Sequence, residues 1–239
     1  MAKNSKERKL DAKLIQVYEK HGLDMFVDVC AEMLNIRDPH DWEKKKKVNG
    51  EVCECVIRVM TEDYLRRRGI KGSVFHSLVL KNLSNPKSDF RTELDFTLLT
   101  PYFCVTAECK SFVGQITVTG DCVLQRDNLT ADVGRQTKVH VNALRPYLEK
   151  YALPNKGVVT PPLFPVCFLY SNGTLQDKRG GQQRSAIPIL TIGNLFRYYD
   201  VLTGKCSREV YDVKAASKAF QAMADSRVLH IQHANYVGY

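Results

Sequence analysis

Apolar and polar positions along this chain follow either a two-residue or a helical period, and the switch between the two marks out its elements. The clearest stretch is 93–110. Leu94, Phe96 and Leu98 alternate with Glu93, Asp95 and Thr97; then Phe103, Val105 and Ala107 alternate with Cys104, Thr106, Glu108 and Lys110. Both halves read as strands, joined by a turn at Thr100-Pro101-Tyr102. Side chains two apart share a face. Glu93 and Asp95 therefore fall together, as do Glu108 and Lys110, and pairing of the strands brings three acids and one lysine to one patch.

Helical spacing dominates before this centre. Leu10, Leu14, Ile15 and Val17 predict an amphipathic helix over 1–20, ended at Gly22. Phe26, Val29, Cys30, Met33 and Leu34 predict a second over 25–34. Lys44–Lys47 reads as a solvated linker or as a phosphate-steering patch. Glu51–Arg68 predicts a helix with a stripe of Val52, Val56, Val59, Met60 and Tyr64, closed by Arg66, Arg67 and Arg68, which suit the helix dipole. Val74–Leu83 predicts a strand, with His76 packing or facing solvent. A polar surface loop around Pro86 follows.

Beyond Lys110, Gly114 and Gly120 bracket a third strand over 115–119, and 123–126 reads as a short edge strand continuing an antiparallel meander. Asp132–Lys150 predicts a helix with Gln136, His140 and Ala143 on one side and a kink or end near Pro146. Leu163–Tyr170 reads as a buried strand, and the strand–helix–strand crossover implies parallel pairing with part of the sheet. Residues 176–184 read as a flexible basic loop that could track a polyanion backbone. Ile187–Thr191 predicts another strand, 194–199 a helical turn and 214–225 a helix. His230 and His233 have metal-ligand spacing but no evident third ligand.

Composition narrows the picture. With 239 residues, 44% hydrophobic and 26% charged, the chain has an ordinary globular balance. The formal charge of +9 favours a polyanionic partner. Eight cysteines form no C-x-x-C and no zinc-like spacing; several sit in apolar patterns as small hydrophobes. With no signal peptide read, a reducing cytoplasm is the expected compartment. No apolar run reaches the length of a bilayer span, so no membrane role is expected.

The acidic patch needs compensation. Two carboxylates 4 Å apart repel by about 4 kcal/mol at an effective dielectric near 20. Lys110 is one source of positive charge and a bound divalent cation is the other. A carboxylate on one strand followed by carboxylate-X-lysine on the next suits a hard cation that shares its shell with substrate phosphate. A solvated strand face with one ordinary ion pair is the alternative.

The runs Thr92-Glu-Leu-Asp-Phe-Thr-Leu-Leu-Thr100 and Val105-Thr-Ala-Glu-Cys-Lys-Ser-Phe-Val-Gly-Gln-Ile116 resemble the nuclease-related domain (NERD) family, a branch of the PD-(D/E)xK nuclease superfamily. Gly50-Glu51, Glu93-Leu94-Asp95, Glu108-Cys109-Lys110, Gly114 and Gln136 follow the family's order over about residues 49–150. Between Gly114 and Gln136 the chain lacks the Trp and Asn-Pro that often precede the family's Gln; its one Trp is Trp42, far upstream.

The resemblance implies an α/β fold: a restriction-endonuclease-like core with a central mixed β-sheet flanked by helices, here with an N-terminal helical extension. The expected divisions are a helical extension over 1–48, a nuclease-like domain over 49–200 and a C-terminal helical segment over 201–239. It implies a Mg²⁺- or Mn²⁺-dependent nuclease acting on nucleic acid, with DNA the expected substrate. Asp95, Glu108 and the backbone carbonyl of Cys109 would hold the metal, and Glu51 would assist, with Glu54 the alternate. Lys110 would act on the attacking water. Gln136 and Lys138 are the expected substrate contacts. His140 is set aside as a base because metal and Lys110 cover that role. A catalytically inactive nucleic-acid-binding module on the same fold is the competing expectation.

Overall fold

The computed structural model describes residues 7–35, 42–83, 90–153, 160–223 and 236–237. Helix α1 (Glu7–Asn35) is broken at Gly22, where φ is 81° and ψ −176°, so it comprises the two helices that the periodicity predicts. A residue without Cβ reaches that φ without a steric penalty. Helix α2 (Trp42–Arg68) starts at Trp42 rather than at Glu51. The Lys44–Lys47 run is thus part of the helix and not a linker, in keeping with the good helix propensity of lysine.

Strands β1 (Gly72–Lys81), β2 (Arg91–Leu99) and β3 (Cys104–Phe112) form an antiparallel meander. At its β2–β3 turn, Thr100 Oγ1 accepts the N–H groups of Tyr102 and Phe103 at 3.2 and 3.0 Å. The expected continuation of the meander does not occur. Strands β4 (Ile116–Thr119), β5 (Val123–Arg126) and β6 (Leu129–Asp132) leave the main sheet and build a second one. Helix α3 (Val133–Tyr151) then crosses back to strand β7 (Leu163–Ser171), which pairs parallel to β3, as the crossover requires.

Pro146 lies inside α3 and does not end it. The carbonyl that loses its partner, four residues back, belongs to the exposed Asn142 and can be met by solvent.

Strand β8 (Leu175–Asp177) adds to the second sheet, giving the order β6-β5-β4-β8. Helix α4 (Gly181–Ala186), strand β9 (Ile189–Leu190), helices α5 (Leu195–Lys205) and α6 (Val213–Met223), and strand β10 (Tyr236–Val237) complete the chain. The main sheet has the order β10-β1-β2-β3-β7-β9 and is mixed. His230 and His233 lie outside the described residues.

The segment 176–184 is not a flexible strap. Arg179 is buried, forks onto Asp177 with both contacts at 2.9 Å, and donates to the carbonyl of Ile187 at 2.9 Å. Through Arg179, the end of β8 is tied to Ile187, which precedes β9.

Three packed clusters organise the molecule. On one face of the main sheet, α1, α2 and α5 bring Phe26, Val56 and Tyr199 against Phe96, Val105 and Phe168. On the other, α3 and α6 bring Leu144, Leu148 and Phe220 against Phe75, Leu99 and Cys104. The third cluster seats Ile116, Val118 and Leu124 of the small sheet on Cys167 and Leu169 of β7. The result is a mixed α/β fold with a central mixed sheet between helices and a helical N-terminal region. Among the described residues no helix is long and apolar enough to cross a membrane.

Candidate active site

The site forms where the central strands part. The β2–β3 ladder runs from Leu99–Cys104 to Phe96–Ala107 and does not continue to Asp95 and Glu108. On the other side, the β1–β2 register passes from His76–Phe96 to Leu78–Leu94 across Ser77, whose φ is 49°. Asp95 thus sits at a break in pairing with both neighbours.

The kink at Ser77 also shifts the alternation. Phe75 packs toward α3 before the kink, and Leu78 and Leu80 pack toward α3 after it. A strict two-residue period could not put all three on one face.

The Asp95 carboxylate closes the gap by accepting the N–H of Cys109, with Oδ2 at 2.8 Å. Burial pushes its pKa up to about 6, and the charge of Glu108 pushes the same way. The Cys109 N–H, Lys110 and His140 oppose them.

Glu108 is buried, with Oε1 in contact with the Lys110 ammonium. Burial of Lys110 favours its neutral form, but the pull of Glu108, then of Asp95, outweighs this and raises its pKa. Lys110 therefore stays charged. The other Glu108 oxygen, Oε2, lies 3.3 Å from Nδ1 of His140 on α3. Neither of these buried atoms has a hydrogen-bond partner among the described residues. Burial lowers the His140 pKa, against a smaller opposing effect of Asp95.

Asp95, Glu108, Cys109 and Lys110 are therefore gathered as the sequence pattern requires, and His140 joins them. Glu93 does not, being exposed on the outer part of β2. His140 is not among the residues expected from the sequence; the signal that points to it is its spacing four residues after Gln136, on one side of α3. Gln136 is exposed one turn earlier. Lys138 is also exposed and pairs with Asp121 at 2.9 Å.

The helix carboxylates sit on α2, which packs against the sheet face opposite α3. Glu54 accepts from the Ser77 hydroxyl at 3.3 Å. Its charge also acts with that of Asp95, behind burial and the neighbouring Cys53, to push the Cys109 thiol far up. Glu54 is thus tied to Ser77 at the strand break beside Asp95, and half-buried Glu51 lies one turn before it. The same helix sends the buried Arg58 to the buried His76, with Nη1 3.0 Å from Nε2, a contact with no sequence signal.

Among the described residues, no three His, Cys, Asp or Glu side chains are gathered closely enough to hold a metal ion by themselves. Asp95 and Glu108 nevertheless suit Mg²⁺, which takes one or two carboxylates and fills its shell with water and phosphate. Glu108 Oε2 lacks a hydrogen-bond donor among the described residues, and the burial and neighbouring Glu108 charge that raise the Asp95 pKa are both effects a bound cation would oppose.

A family model described as "Nuclease-related domain" matches residues 50–170. No curated protein matches the chain. Among solved structures, the chain is similar to the crystal structure of protein VC1899 from Vibrio cholerae at 13% identity and a TM-score of 0.38, with 88% of this chain and 51% of that one covered. It thus spans about half the length of that neighbour.

Proposed function

This chain belongs to the nuclease-related domain family, and from that premise we propose that it is a metal-dependent nuclease that hydrolyses phosphodiester bonds in DNA. The observation that carries the proposal is the convergence of Asp95, Glu108 and Lys110 at the point where β2 and β3 separate. Asp95, Glu108 and the backbone carbonyl of Cys109 would hold Mg²⁺ or Mn²⁺, with a carboxylate of α2 assisting. When bound, such an ion supplies Lewis-acid polarisation of the phosphate and lowers the pKa of a coordinated water.

The chain's own groups do the rest. Lys110, kept protonated by its acidic neighbours, orients the attacking water and offsets charge that develops on the phosphate. His140, 3.3 Å from the second oxygen of Glu108, would fix that oxygen once its ring turns to donate. Gln136 and Lys138, exposed on the first turns of α3, contact the substrate backbone. The net charge of +9 supports a polyanionic substrate. The eight free thiols support a reducing compartment, the cytoplasm.

Incubation of the purified protein with plasmid DNA tests this. Cleavage is expected with Mg²⁺ or Mn²⁺, is expected to stop with chelator, and is expected to vanish in Asp95→Ala and Lys110→Ala. Undiminished cleavage by Asp95→Ala would overturn the mechanism. A second reading, a non-catalytic binding module, is favoured by the contact of Lys110 with Glu108, which compensates that carboxylate without any ion. Tight DNA binding without cleavage in either metal would select it.

A further inference from the structure

Away from the carboxylates, a groove of about 290 Å³ opens between the outer ends of β1 and β2 and helix α3. Its walls include Phe90, 44% exposed, and Val139, 37% exposed, two of the few large apolar side chains left on the surface. Asn82 and Asn142 supply amides, and Lys81 stands at the rim. Val139 precedes His140 on α3, so the groove and the proposed active site share that helix.

The cations beside it are placed unusually. Lys81 lies directly opposite Arg91 in the β1–β2 register, and both are exposed. Like charges directly opposite each other destabilise a strand pair. Among the described residues neither side chain has a carboxylate partner. An anion between or beside them would remove the repulsion.

We propose that this groove receives an unpaired base of a single-stranded nucleic acid, with its phosphate on Lys81 and Arg91. This rests on the nuclease reading above and specifies its substrate. An exposed aromatic ring beside a cationic track is how single strands are held without sequence preference. A base within a duplex has both faces covered by its stacked neighbours, so only an unpaired base can offer its π-face to Phe90. The exposed Asn142 amide carries donors and an acceptor, which suits the mixed edge of a base. An apolar partner would leave Lys81 and Arg91 uncompensated, and a duplex could neutralise them but could not enter the groove.

The test is binding, in chelator so that nothing is cleaved, of a fluorescent 20-nucleotide single strand and of the matching duplex. A second single strand carries 2-aminopurine, whose emission is quenched on stacking. Wild type is expected to bind the single strand more tightly than the duplex and to quench 2-aminopurine. Phe90→Ala is expected to weaken single-strand binding roughly tenfold, lose the quenching and leave duplex binding unchanged. Phe90→Trp is expected to retain both signals. The Lys81→Ala/Arg91→Ala double variant is expected to weaken single-strand binding and flatten its salt dependence. If Phe90→Ala binds and quenches as wild type does, or wild type prefers the duplex, the inference is overturned while the nuclease reading stands. If wild type binds neither form and cleaves nothing with Mg²⁺ or Mn²⁺, both are overturned.

Discussion

His140 Nδ1 stands 3.3 Å from Glu108 Oε2, and each is a buried polar atom with no hydrogen-bond partner among the described residues. A modest turn of the imidazole would let Nδ1–H donate to the carboxylate. An orphaned buried acceptor costs about 1–3 kcal/mol, so the pair is poised to tighten once Glu108 is fixed from its other side. Carboxylates that ligate metals are themselves commonly held by such outer hydrogen bonds.

His140 is therefore a positioning residue, and His140→Ala is expected to raise the Mg²⁺ concentration needed for half-maximal cleavage by about 10–100-fold. His140→Asn, which keeps a donor, should recover part of the loss. Thermal unfolding run alongside separates this from a folding defect. An unchanged metal requirement in His140→Ala would show that the contact is packing alone.

Asp95 gives the opposite signs for stability and activity. Its pKa is about 6 in the folded chain, against about 3.9 for an unperturbed aspartate. Between these values the folded state holds more protons than the unfolded state. Stability contributed by this group is therefore lost as pH rises from about 4 to about 6, and the loss persists above that. Asp95→Asn is expected to abolish cleavage while stabilising the metal-free protein by about 2–3 kcal/mol at pH 7.5, an advantage that shrinks toward pH 4. Urea unfolding at the two pH values measures it. Mg²⁺ or Mn²⁺ should raise the melting temperature of wild type by mass action and leave that of Asp95→Asn unmoved.

How much of this was legible beforehand depends on the range over which each feature is encoded. Asp95, Glu108 and Lys110 can be placed because strand alternation is local, and the crossover implies that β7 pairs parallel to part of the sheet, though not that its partner is β3. The break at Ser77 cannot be placed so, since serine does not announce a positive φ. The partnership of His140 with Glu108 depends on how α3 settles over β3, which no local pattern states. Four-residue strands carry too few alternations to show which sheet they join, so the small sheet reads in the sequence as more meander. Arg179 looked like part of a solvated basic loop because only the fold supplies the Ile187 carbonyl that buries it. The pattern over 42–50 is polar, so α2 was started at its first apolar stripe.

The junction between the two sheets is tight enough to test by one atom. A Cβ on Gly173 would lie 1.6 Å from the carbonyl oxygen of Gly114, backbone against backbone, whereas a Cβ on Gly181 would meet nothing within 4 Å. Gly173→Ala must push apart the β3–β4 and β7–β8 connections, and a loss of about 3 kcal/mol or more is expected, at the upper end of overpacking effects. Gly181→Ala, in the first turn of α4, should stay within about 0.5 kcal/mol of wild type. Denaturant midpoints for the two variants decide the matter, and equal midpoints would mean that the connections separate freely.

The two carboxylates of α2 make distinct predictions. Glu54 is held by the Ser77 hydroxyl beside the strand break and adds its charge to that of Asp95 at Cys109. Glu51 lies a turn away. If the helix contributes a carboxylate to the proposed metal site, Glu54→Gln should weaken Mg²⁺ activation by roughly tenfold or more, as loss of an outer ligand does, and Glu51→Gln should change it far less. Ser77→Ala should follow Glu54→Gln in direction with a smaller effect, because it takes one hydrogen bond from the carboxylate without removing it. Metal titrations of cleavage rank the three variants. The reverse order, with Glu51→Gln the more damaging, would put the assisting acid on the first turn after Gly50.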